Sequence, residues 1–158
     1  MRALGRRLTA DYAGRDLHLI GVLHGAFVFM ADLVREIDLP MTCDFLRVSS
    51  YGAGTTSRGR AKITRDFDRP IEGRDVLLVE DIVDTGITAS AVLKELRKRG
   101  PSSVRLCALL HKPARSRVAV KIDYLGFTVP DRFVVGYGLD FDARYRNLPY
   151  IGTVGRND

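Results

Sequence analysis

The sequence predicts an α/β fold with one open, mainly parallel sheet flanked by helices. Residues 76–79 form a continuously apolar segment, which is typical of a strand whose two faces are both covered, and the largely apolar residues 17–23 and 104–110 are also expected to be strands. Amphipathic segments with a helical period occur at residues 26–37 and, most clearly, at residues 89–99. Strands that alternate with helices along a chain favour parallel pairing through crossover connections.

The remaining segments complete this prediction. Residues 42–48 and 133–137 are expected to form further strands. Residues 49–62 are rich in Gly, Ser and Thr and almost free of aliphatic side chains. Long segments of this kind are typical of lids and binding loops, so we expect a mobile loop over residues 49–65. With no internal repeat or second apolar unit visible, residues 1–158 are predicted to form a single domain.

The composition narrows the class of protein. A chain of 158 residues with 46% hydrophobic and 28% charged residues fits one globular domain. Its net charge of +6 attracts anions, but this does not choose among nucleic acid, acidic membranes and phosphorylated metabolites. Cys43 and Cys107 lie in apolar, strand-like segments and are predicted to be buried thiols of a reducing compartment. No apolar stretch approaches the roughly 20 residues of a membrane span, so a cytoplasmic protein is expected.

The strongest functional signal is the segment VLLVEDIVDTGITAS at residues 76–90. Glu80 and Asp81 follow directly on a predicted buried strand, where adjacent carboxylates resist burial. A ribose diol or a hydrated Mg²⁺ would relieve that repulsion. Residues 85–88 (TGIT) lie where a helix is expected to begin, and the free backbone N–H groups of a helix start bind phosphate. The segment therefore predicts a site for a sugar that carries both phosphate and metal.

A simpler interpretation is that Asp84 or Thr88 caps the following helix. This accounts for one residue and leaves the other acids and threonines of the segment unexplained. The chain contains neither GxxxxGK[ST] nor GxGxxG, which makes nucleoside triphosphatase and dinucleotide-binding interpretations weak.

Several segments together resemble type I phosphoribosyltransferases. VEDIVDTGITAS resembles the ribose-phosphate-binding motif of that family, and LHGAFVFMADL resembles its pyrophosphate loop and following helix. SSYG…T…SRG resembles the mobile catalytic loop. HKPARS and the tail VPDRFVVGYGLDFDARYRNLPYIG are similar to the base-binding segments of hypoxanthine-guanine phosphoribosyltransferases. The resemblance covers nearly the whole chain in the expected order, and it implies that family's fold with a small hood formed by terminal segments.

The resemblance also implies a reaction and its participants. The 5-phosphoribosyl group of phosphoribosyl pyrophosphate (PRPP) would be transferred to hypoxanthine or guanine, giving IMP or GMP and pyrophosphate with Mg²⁺ as cofactor. Asp84 is the implied general base near the purine N7. The implied ribose-phosphate ligands are Glu80, Asp81, Thr85, Gly86, Ile87 and Thr88, and the implied pyrophosphate ligands are Leu23, His24, Gly25 and Arg146. The implied purine contacts are Lys112, Phe133 and Val134, the lid residues are Ser50 and Tyr51, and the metal ligands are Glu80, Asp81 and Asp140.

The sequence departs from the family pattern at three places. His24 and Ile87 occupy positions where relatives often carry lysine, but the contacts there are largely from the backbone, so we expect function to be retained. The family usually has a further strand and the beginning of a helix ahead of residues 1–12. Either the start of this sequence was assigned late or that segment is missing. In the family the segment belongs to the hood, so its loss is expected to weaken the hood or a subunit contact and to reduce stability. The resemblance implies a homodimer or homotetramer, with neither membrane nor nucleic acid as an expected partner.

Two other classes of function stay open. A regulator with the same fold would bind PRPP or nucleotide without catalysis, although the complete set of acids and the lid argue against it. A phosphoribosyltransferase for adenine, xanthine or a pyrimidine is the second, and Lys112 with the Phe133 segment favours a 6-oxopurine instead. The positive charge also permits a nucleic-acid-binding protein, but no recognition motif supports one.

Overall fold

The protein, described here from a computed structural model that covers residues 1–51 and 60–155, is built on a six-stranded sheet of order β3-β2-β1-β4-β5-β6. For residues 50–51 and 60–62 only the backbone is described. Every neighbouring pair of strands is parallel except β2 and β3, which are antiparallel. The predicted open, mainly parallel sheet is therefore confirmed. Its strands are β1 (Leu17–Leu23), β2 (Met41–Tyr51), β3 (Arg60–Arg65), β4 (Asp75–Val83), β5 (Ser103–His111) and β6 (Tyr124–Thr128).

In the described part of the chain, three α-helices flank the sheet: α1 (Arg2–Asp11), α2 (Phe27–Val34) and α3 (Ile87–Arg97). The helix predicted over residues 26–37 is shorter than expected, because the chain leaves α2 through a turn in which Glu36 N–H donates to the carbonyl of Leu33. The helix predicted over residues 89–99 begins two residues earlier. Its predicted apolar stripe is confirmed as buried: Ala89, Val92, Leu93 and Leu96.

The core consists of two apolar layers, one on each face of the sheet. Leu77 and Val79 of β4 lie in the layer that also contains buried side chains of α1 and α2. Val76 and Leu78, which alternate with them, lie in the layer that contains the buried stripe of α3. Successive side chains of a strand point to opposite faces. The continuously apolar strands of the sequence thus follow from a sheet that is covered on both sides.

Strand β4 is longer than predicted, and this changes where the acidic pair lies. The apolar pattern ends at Val79, but backbone pairing with β5 continues to Val83 opposite His111. Glu80 and Asp81 therefore belong to the strand, and the expectation that they follow it is wrong. The cause is that β5 extends far enough to satisfy the backbone of β4 through residue 83, whatever side chains are attached.

The segment predicted as a loop over residues 49–65 is partly strand. β2 runs to Tyr51, β3 begins at Arg60, and the two pair antiparallel with Ser49 opposite Lys62. The loop is thus shorter than expected at both ends. Residues 52–59, the middle of the predicted loop, lie outside the described residues, so the mobility of this loop stays a prediction.

The strand predicted over residues 133–137 also differs from the structure. β7 (Val134–Val135) has two residues and pairs antiparallel with β8 (Gly152–Thr153) in a small separate sheet. The strand ends because Gly136, Tyr137 and Gly138 all have positive φ and turn the chain. This small sheet from the C-terminal part of the chain forms the hood.

The cysteine prediction is half right. Cys107 is buried, and burial raises the pKa of its thiol to about 12. Cys43 is exposed, although it lies in an apolar segment. It precedes the point where β3 begins to pair with β2 at Arg47, and Phe45 on the same face of β2 is also exposed. Both thiols are free. In the described ranges, no helix combines the length and the apolar character that crossing a bilayer requires.

A polar cluster is buried at the amino ends of β1 and β2. His18 is fully buried, and its Nδ1 lies 2.7 Å from the Thr42 hydroxyl. Its Nε2 lies 3.6 Å from Asp44 Oδ2, which is too far for a hydrogen bond. Burial, assisted by the charge of Arg74, lowers the pKa of His18. The folded state disfavours the charged ring, so protonation of His18 lowers the free energy of unfolding. The full stability is therefore present above the unfolded pKa of about 6.5, and part of it is lost as the pH falls through the lowered pKa of the folded state.

We expect the substitution His18→Gln to flatten the decrease of Tm between about pH 7.5 and pH 5. The amide can still hydrogen-bond Thr42 but takes up no proton. Thermal unfolding across this range, followed by circular dichroism, measures the slope. His111→Gln, at the less buried end of β5, is the matched control and should keep the slope of the wild type. Equal slopes for wild type and His18→Gln would contradict the prediction.

Candidate active site

Near the end of β4, Glu80 is buried and Asp81 is half-buried. Glu80 is 5% exposed, and its Oε1 has no hydrogen-bond partner among the described residues. Burial, and then the neighbouring Asp81, raise the pKa of Glu80 well above its usual range. Burial likewise raises the pKa of Asp81 to about 6, against smaller opposing contributions that include the charge of Arg146. Two such carboxylates are stabilised when a cation or hydroxyl donors come within reach.

Two glycines allow close packing beside this pair, because Gly25 packs on Asp81 and Gly138 packs on Gly25. A Cβ atom added at Gly25 would overlap the carboxylate of Asp81. Gly138 in the hood has φ +99°, and a Cβ atom there would overlap the carbonyl oxygen of Gly25. The predicted pyrophosphate loop is therefore packed between the acidic strand and the hood. The peptide bond between Leu23 and His24 in this loop is cis.

The turn from β4 into α3 is held in place by hydrogen bonds from the backbone of residues 117–118. The backbone N–H groups of Arg117 and Val118 both donate to the carbonyl of Thr85 at 3.0 Å. Gly86, the N-cap of α3, has φ +78°, and a Cβ atom there would overlap the carbonyl oxygen of Val118. The family resemblance implies that Gly86 is a ribose-phosphate ligand. The close approach in the structure is to Val118, and it leaves the first turn of α3 facing a cavity.

This cavity has a volume of about 330 Å³ and lies between the strand end and the helix. It offers carboxylates at one end and hydroxyl groups with helix N–H groups at the other. That division suits a sugar with free hydroxyls and a terminal phosphate. The lining residues are Glu80, Asp81, Ile82, Val83, Asp84, Thr85, Gly86, Thr88 and Ala89.

A second cavity of about 190 Å³ adjoins the first under the hood. Both cavities are lined by Asp81, Ile82 and Asp84, so the two cavities adjoin, with Asp84 in the wall of both, and together they are called the cleft. Lys112, 5% exposed, reaches the second cavity from the residue after β5, and its backbone N–H donates to Val83 at 2.9 Å. The other lining residues are Phe133, Val134, Leu139 and Asp140.

Arg146 and Asp140 form an ion pair at the edge of the hood. Arg146 Nη2 lies 2.9 Å from Asp140 Oδ1, and Nη1 donates to the carbonyl of Gly138 at 2.7 Å. The other oxygen of Asp140 accepts the N–H of Ala143 at 2.8 Å. This guanidinium therefore sits on the same segment that packs on Gly25. A negatively charged leaving group in the cleft would have to compete with Asp140 for it.

Most of the predicted site residues meet at this cleft. Phe133, about half exposed, packs edge-on against Phe141 with ring centroids 5.4 Å apart and leaves a face toward the cavity region. His24 is exposed, and Ile87 begins α3 without lining either cavity. Ser50 and Tyr51 end β2, but their side chains lie outside what the structure describes.

Two residues at the site were missed by the sequence analysis. Arg115 Nε lies 3.2 Å from Asp84 Oδ1, and Gly138 packs on Gly25. Arg115 lies within the quoted HKPARS segment and Gly138 within the GYG of the tail, so the segments were noticed but the residues were not. Both contacts join positions far apart in the chain, and nothing in the local pattern identifies such partners.

The donors available to a metal are few. Within residues 1–51 and 60–155, no group of three or more His, Cys, Asp or Glu side chains is arranged to hold an ion. Glu80 and Asp81 provide two adjacent carboxylates, one with an oxygen that lacks a partner. Mg²⁺ is commonly bound by one or two carboxylates together with substrate oxygens and water. The residues present therefore fit a magnesium ion that arrives with its substrate.

Residues 1–142 match the family model described as "Phosphoribosyl transferase domain". The chain belongs to this phosphoribosyltransferase family. The predicted membership, made from the motifs alone, is confirmed.

Similar proteins span almost the whole chain. A hypoxanthine phosphoribosyltransferase of Escherichia coli (strain K12) is 50% identical over 153 residues, which cover 96% of this chain and 86% of that protein. A protein of Listeria innocua named "Bifunctional protein TilS/HprT" is 54% identical over 154 residues, 98% of this chain, but the chain spans only about a quarter (24%) of its length. The crystal structure of a hypoxanthine phosphoribosyltransferase from Staphylococcus aureus aligns with a TM-score of 0.93 and 45% identity, covering 98% of this chain and 84% of that one.

Proposed function

We propose that this chain transfers the 5-phosphoribosyl group of PRPP to hypoxanthine or guanine, giving IMP or GMP and pyrophosphate, in purine salvage. The observation that carries the proposal is the pair of adjoining cavities with Asp84 in the wall of both. On one side of Asp84 lie buried acids and a helix N-terminus, and on the other lie a buried lysine and an aromatic ring. The substrates named for the similar proteins of E. coli and S. aureus agree with this arrangement.

The ribose phosphate of PRPP would lie in the larger cavity. The 5′-phosphate would accept hydrogen bonds from the N–H groups at the start of α3 and from the hydroxyls of Thr85 and Thr88. The ribose hydroxyls would donate to Glu80 and Asp81, which would also hold the Mg²⁺. When bound, Mg²⁺ would neutralise charge on the departing pyrophosphate.

The purine would lie in the smaller cavity against Phe133, with its edge toward the backbone of Val134. Asp84, which lines both cavities, would accept the proton of the purine as the new bond to the ribose forms. Lys112 would donate to the O6 atom. A 6-oxo group accepts this hydrogen bond, whereas the 6-amino group of adenine would leave the buried lysine unpaired.

The pyrophosphate would leave along the loop of Leu23, His24 and Gly25, with Arg146 and Asp140 at the other side. A guanidinium fork suits a pyrophosphate because it can donate two parallel hydrogen bonds. Asp140 would hold a second Mg²⁺ there. The lid that begins at Ser50 and Tyr51 would exclude water, which would otherwise hydrolyse PRPP.

We expect Lys112→Met to lower kcat/KM for hypoxanthine by about 10–100-fold, the value of a lost hydrogen bond to a charged donor. The KM for PRPP should change little, and the ratio of kcat/KM for hypoxanthine to that for adenine should decrease. Steady-state kinetics with both bases measure this. Lys94→Met, on the exposed face of α3, removes the same charge and is the control. An unchanged preference over adenine would contradict the role of Lys112.

A panel of bases tests the proposed function directly. Radiolabelled hypoxanthine, guanine, xanthine and adenine would each be incubated with PRPP, with and without Mg²⁺. We expect Mg²⁺-dependent formation of IMP and GMP. Formation of AMP alone would indicate an adenine enzyme, and binding of PRPP with no product from any base would indicate a regulator.

We also expect the protein to act in the cytoplasm as a homodimer or homotetramer, with neither membrane nor nucleic acid as a partner. The family resemblance and the reduced thiols support these expectations. Light scattering after gel filtration would measure the oligomeric state, and a monomer at micromolar concentration would contradict the expected assembly.

A further inference from the structure

Asp84 is contacted by an arginine that the proposed reaction does not use. Its Oδ1 is buried and has no aligned hydrogen bond within the described part of the chain. Arg115 Nε lies 3.2 Å from this oxygen, so the contact is that of an ion pair. Arg115 Nη1 also lies 3.9 Å from Asp131 Oδ1, two residues before Phe133 in the hood. One guanidinium thus connects the proposed general base with the segment that leads to the purine ring contact.

The direction of this contact matters for its role. Asp84 lines both cavities of the cleft, whereas Arg115 lines neither of them. The guanidinium therefore reaches Asp84 from outside the space that the substrates would fill. Substrate binding does not require the ion pair to break, and this distinguishes it from a contact that blocks the site.

The backbone holds the same two segments together. Arg115 ends the short 3₁₀ helix Pro113–Arg115, which begins directly after Lys112. Two residues later, the N–H groups of Arg117 and Val118 bind the carbonyl of Thr85. Arg115 is thus held on a segment that is itself fixed against the turn containing Asp84. A side chain anchored in this way can hold a carboxylate in one orientation.

We propose that Arg115 is a positioning residue for Asp84, an inference that rests on the proposed function. It holds Oδ1 toward the protein, so that Oδ2 is presented to the purine. The other charged groups that line the cleft with Asp84 are Lys112, Asp81, Asp140 and, from the larger cavity, Glu80. All of these line the space proposed for the substrates. Arg115 contacts Asp84 from the side away from that space.

The first test is the substitution Arg115→Met. We expect kcat for IMP formation to fall by about 10–100-fold, as for a reacting group displaced by about an ångström. The KM for PRPP should stay within about threefold, because the phosphate-binding groups are untouched. Arg115→Lys, which keeps the charge, should recover part of kcat. Arg132→Met removes one positive charge from the exposed hood beside Asp131 and serves as the matched control with near wild-type kinetics.

A double-mutant cycle with Asp84→Asn separates positioning from a general structural effect. If Arg115 acts through the carboxylate, Arg115→Met should lower kcat by less than about threefold in the Asp84→Asn background, since the group to be positioned is already absent. Additive losses would overturn the proposal, as would unchanged kcat in Arg115→Met alone. Binding of IMP by calorimetry in all four proteins shows whether each variant still folds and binds nucleotide, independently of turnover. A wild type that forms no nucleotide contradicts the proposed function, whereas an active wild type with additive variants contradicts only the role of Arg115.

Discussion

The substitution Asp84→Asn is expected to lower kcat for IMP formation by about 10²–10⁴, the range for a lost general base. The amide keeps the size of the side chain but cannot accept the purine proton. The backbone of the turn proposed to bind phosphate is held by the N–H groups of Arg117 and Val118, which Asp84→Asn leaves in place, so the KM for PRPP should change far less than kcat. Radiolabelled hypoxanthine with saturating PRPP and Mg²⁺ gives the turnover of both proteins.

Asp131→Asn is the control for this prediction, because it removes one carboxylate that contacts the same arginine but lies outside both cavities. Its kcat should fall by much less than that of Asp84→Asn. Thermal unfolding of each variant separates lost chemistry from lost folding. Unchanged turnover in Asp84→Asn would remove this residue from the role of base.

The architecture was predictable because its determinant is local in the chain. The alternation of Leu77 and Val79 with Val76 and Leu78 sends equal apolar surface to the two faces of the sheet. A sheet covered on both faces by helices then follows from the side chains alone. The stripe of α3 is predictable for the same reason, since a helical period identifies its buried face before any neighbour is known.

The ends of the strands were not predictable in this way. Backbone pairing depends on the length of the neighbouring strand, and β5 continues the pairing of β4 past the continuous apolar segment that ends at Val79, through Glu80 to Val83. In the hood the opposite occurs. Phe133 and Tyr137 have strand-like side chains, but positive φ from Gly136 onward turns the chain away from any extended partner. Side-chain preference therefore fixed the type of each element and left its limits to tertiary contacts.

In the candidate site too, the features that are local in the chain were predictable and the contacts between distant segments were not. Glu80, Asp81, Asp84 and Thr88 lie close in sequence on one strand-to-helix connection, so their pattern is visible without a structure. The contacts that place the connection come from residues more than 25 positions away, such as Arg115 on Asp84. The family resemblance located the segments that provide these contacts. The particular residues emerge only when the segments are packed together.

The second large effect is expected at Gly25. This residue has no side chain with which to bind a ligand, and the structure leaves no room for a side chain there. In Gly25→Ala the new Cβ would overlap the carboxylate of Asp81, so Asp81 must turn away from its position at the strand end. A displacement of about an ångström in a binding group costs roughly 10²-fold in rate. We expect kcat/KM for PRPP to fall by about that factor, with a dependence on Mg²⁺ shifted to higher concentration.

Gly155→Ala, where a Cβ atom meets open space, is the control and should behave as the wild type. The decisive comparison is with Asp81→Ala, which removes the carboxylate that the new methyl group would displace. If the loss in Gly25→Ala arises from that overlap, Gly25→Ala should add little further loss in the Asp81→Ala background. A full additional loss there would mean that Gly25 matters through its own backbone contact with pyrophosphate. In that case the packing of Gly138, Gly25 and Asp81 would position the loop for its own contact with pyrophosphate. Displacement of the Asp81 carboxylate would then not be the cause of the lost activity.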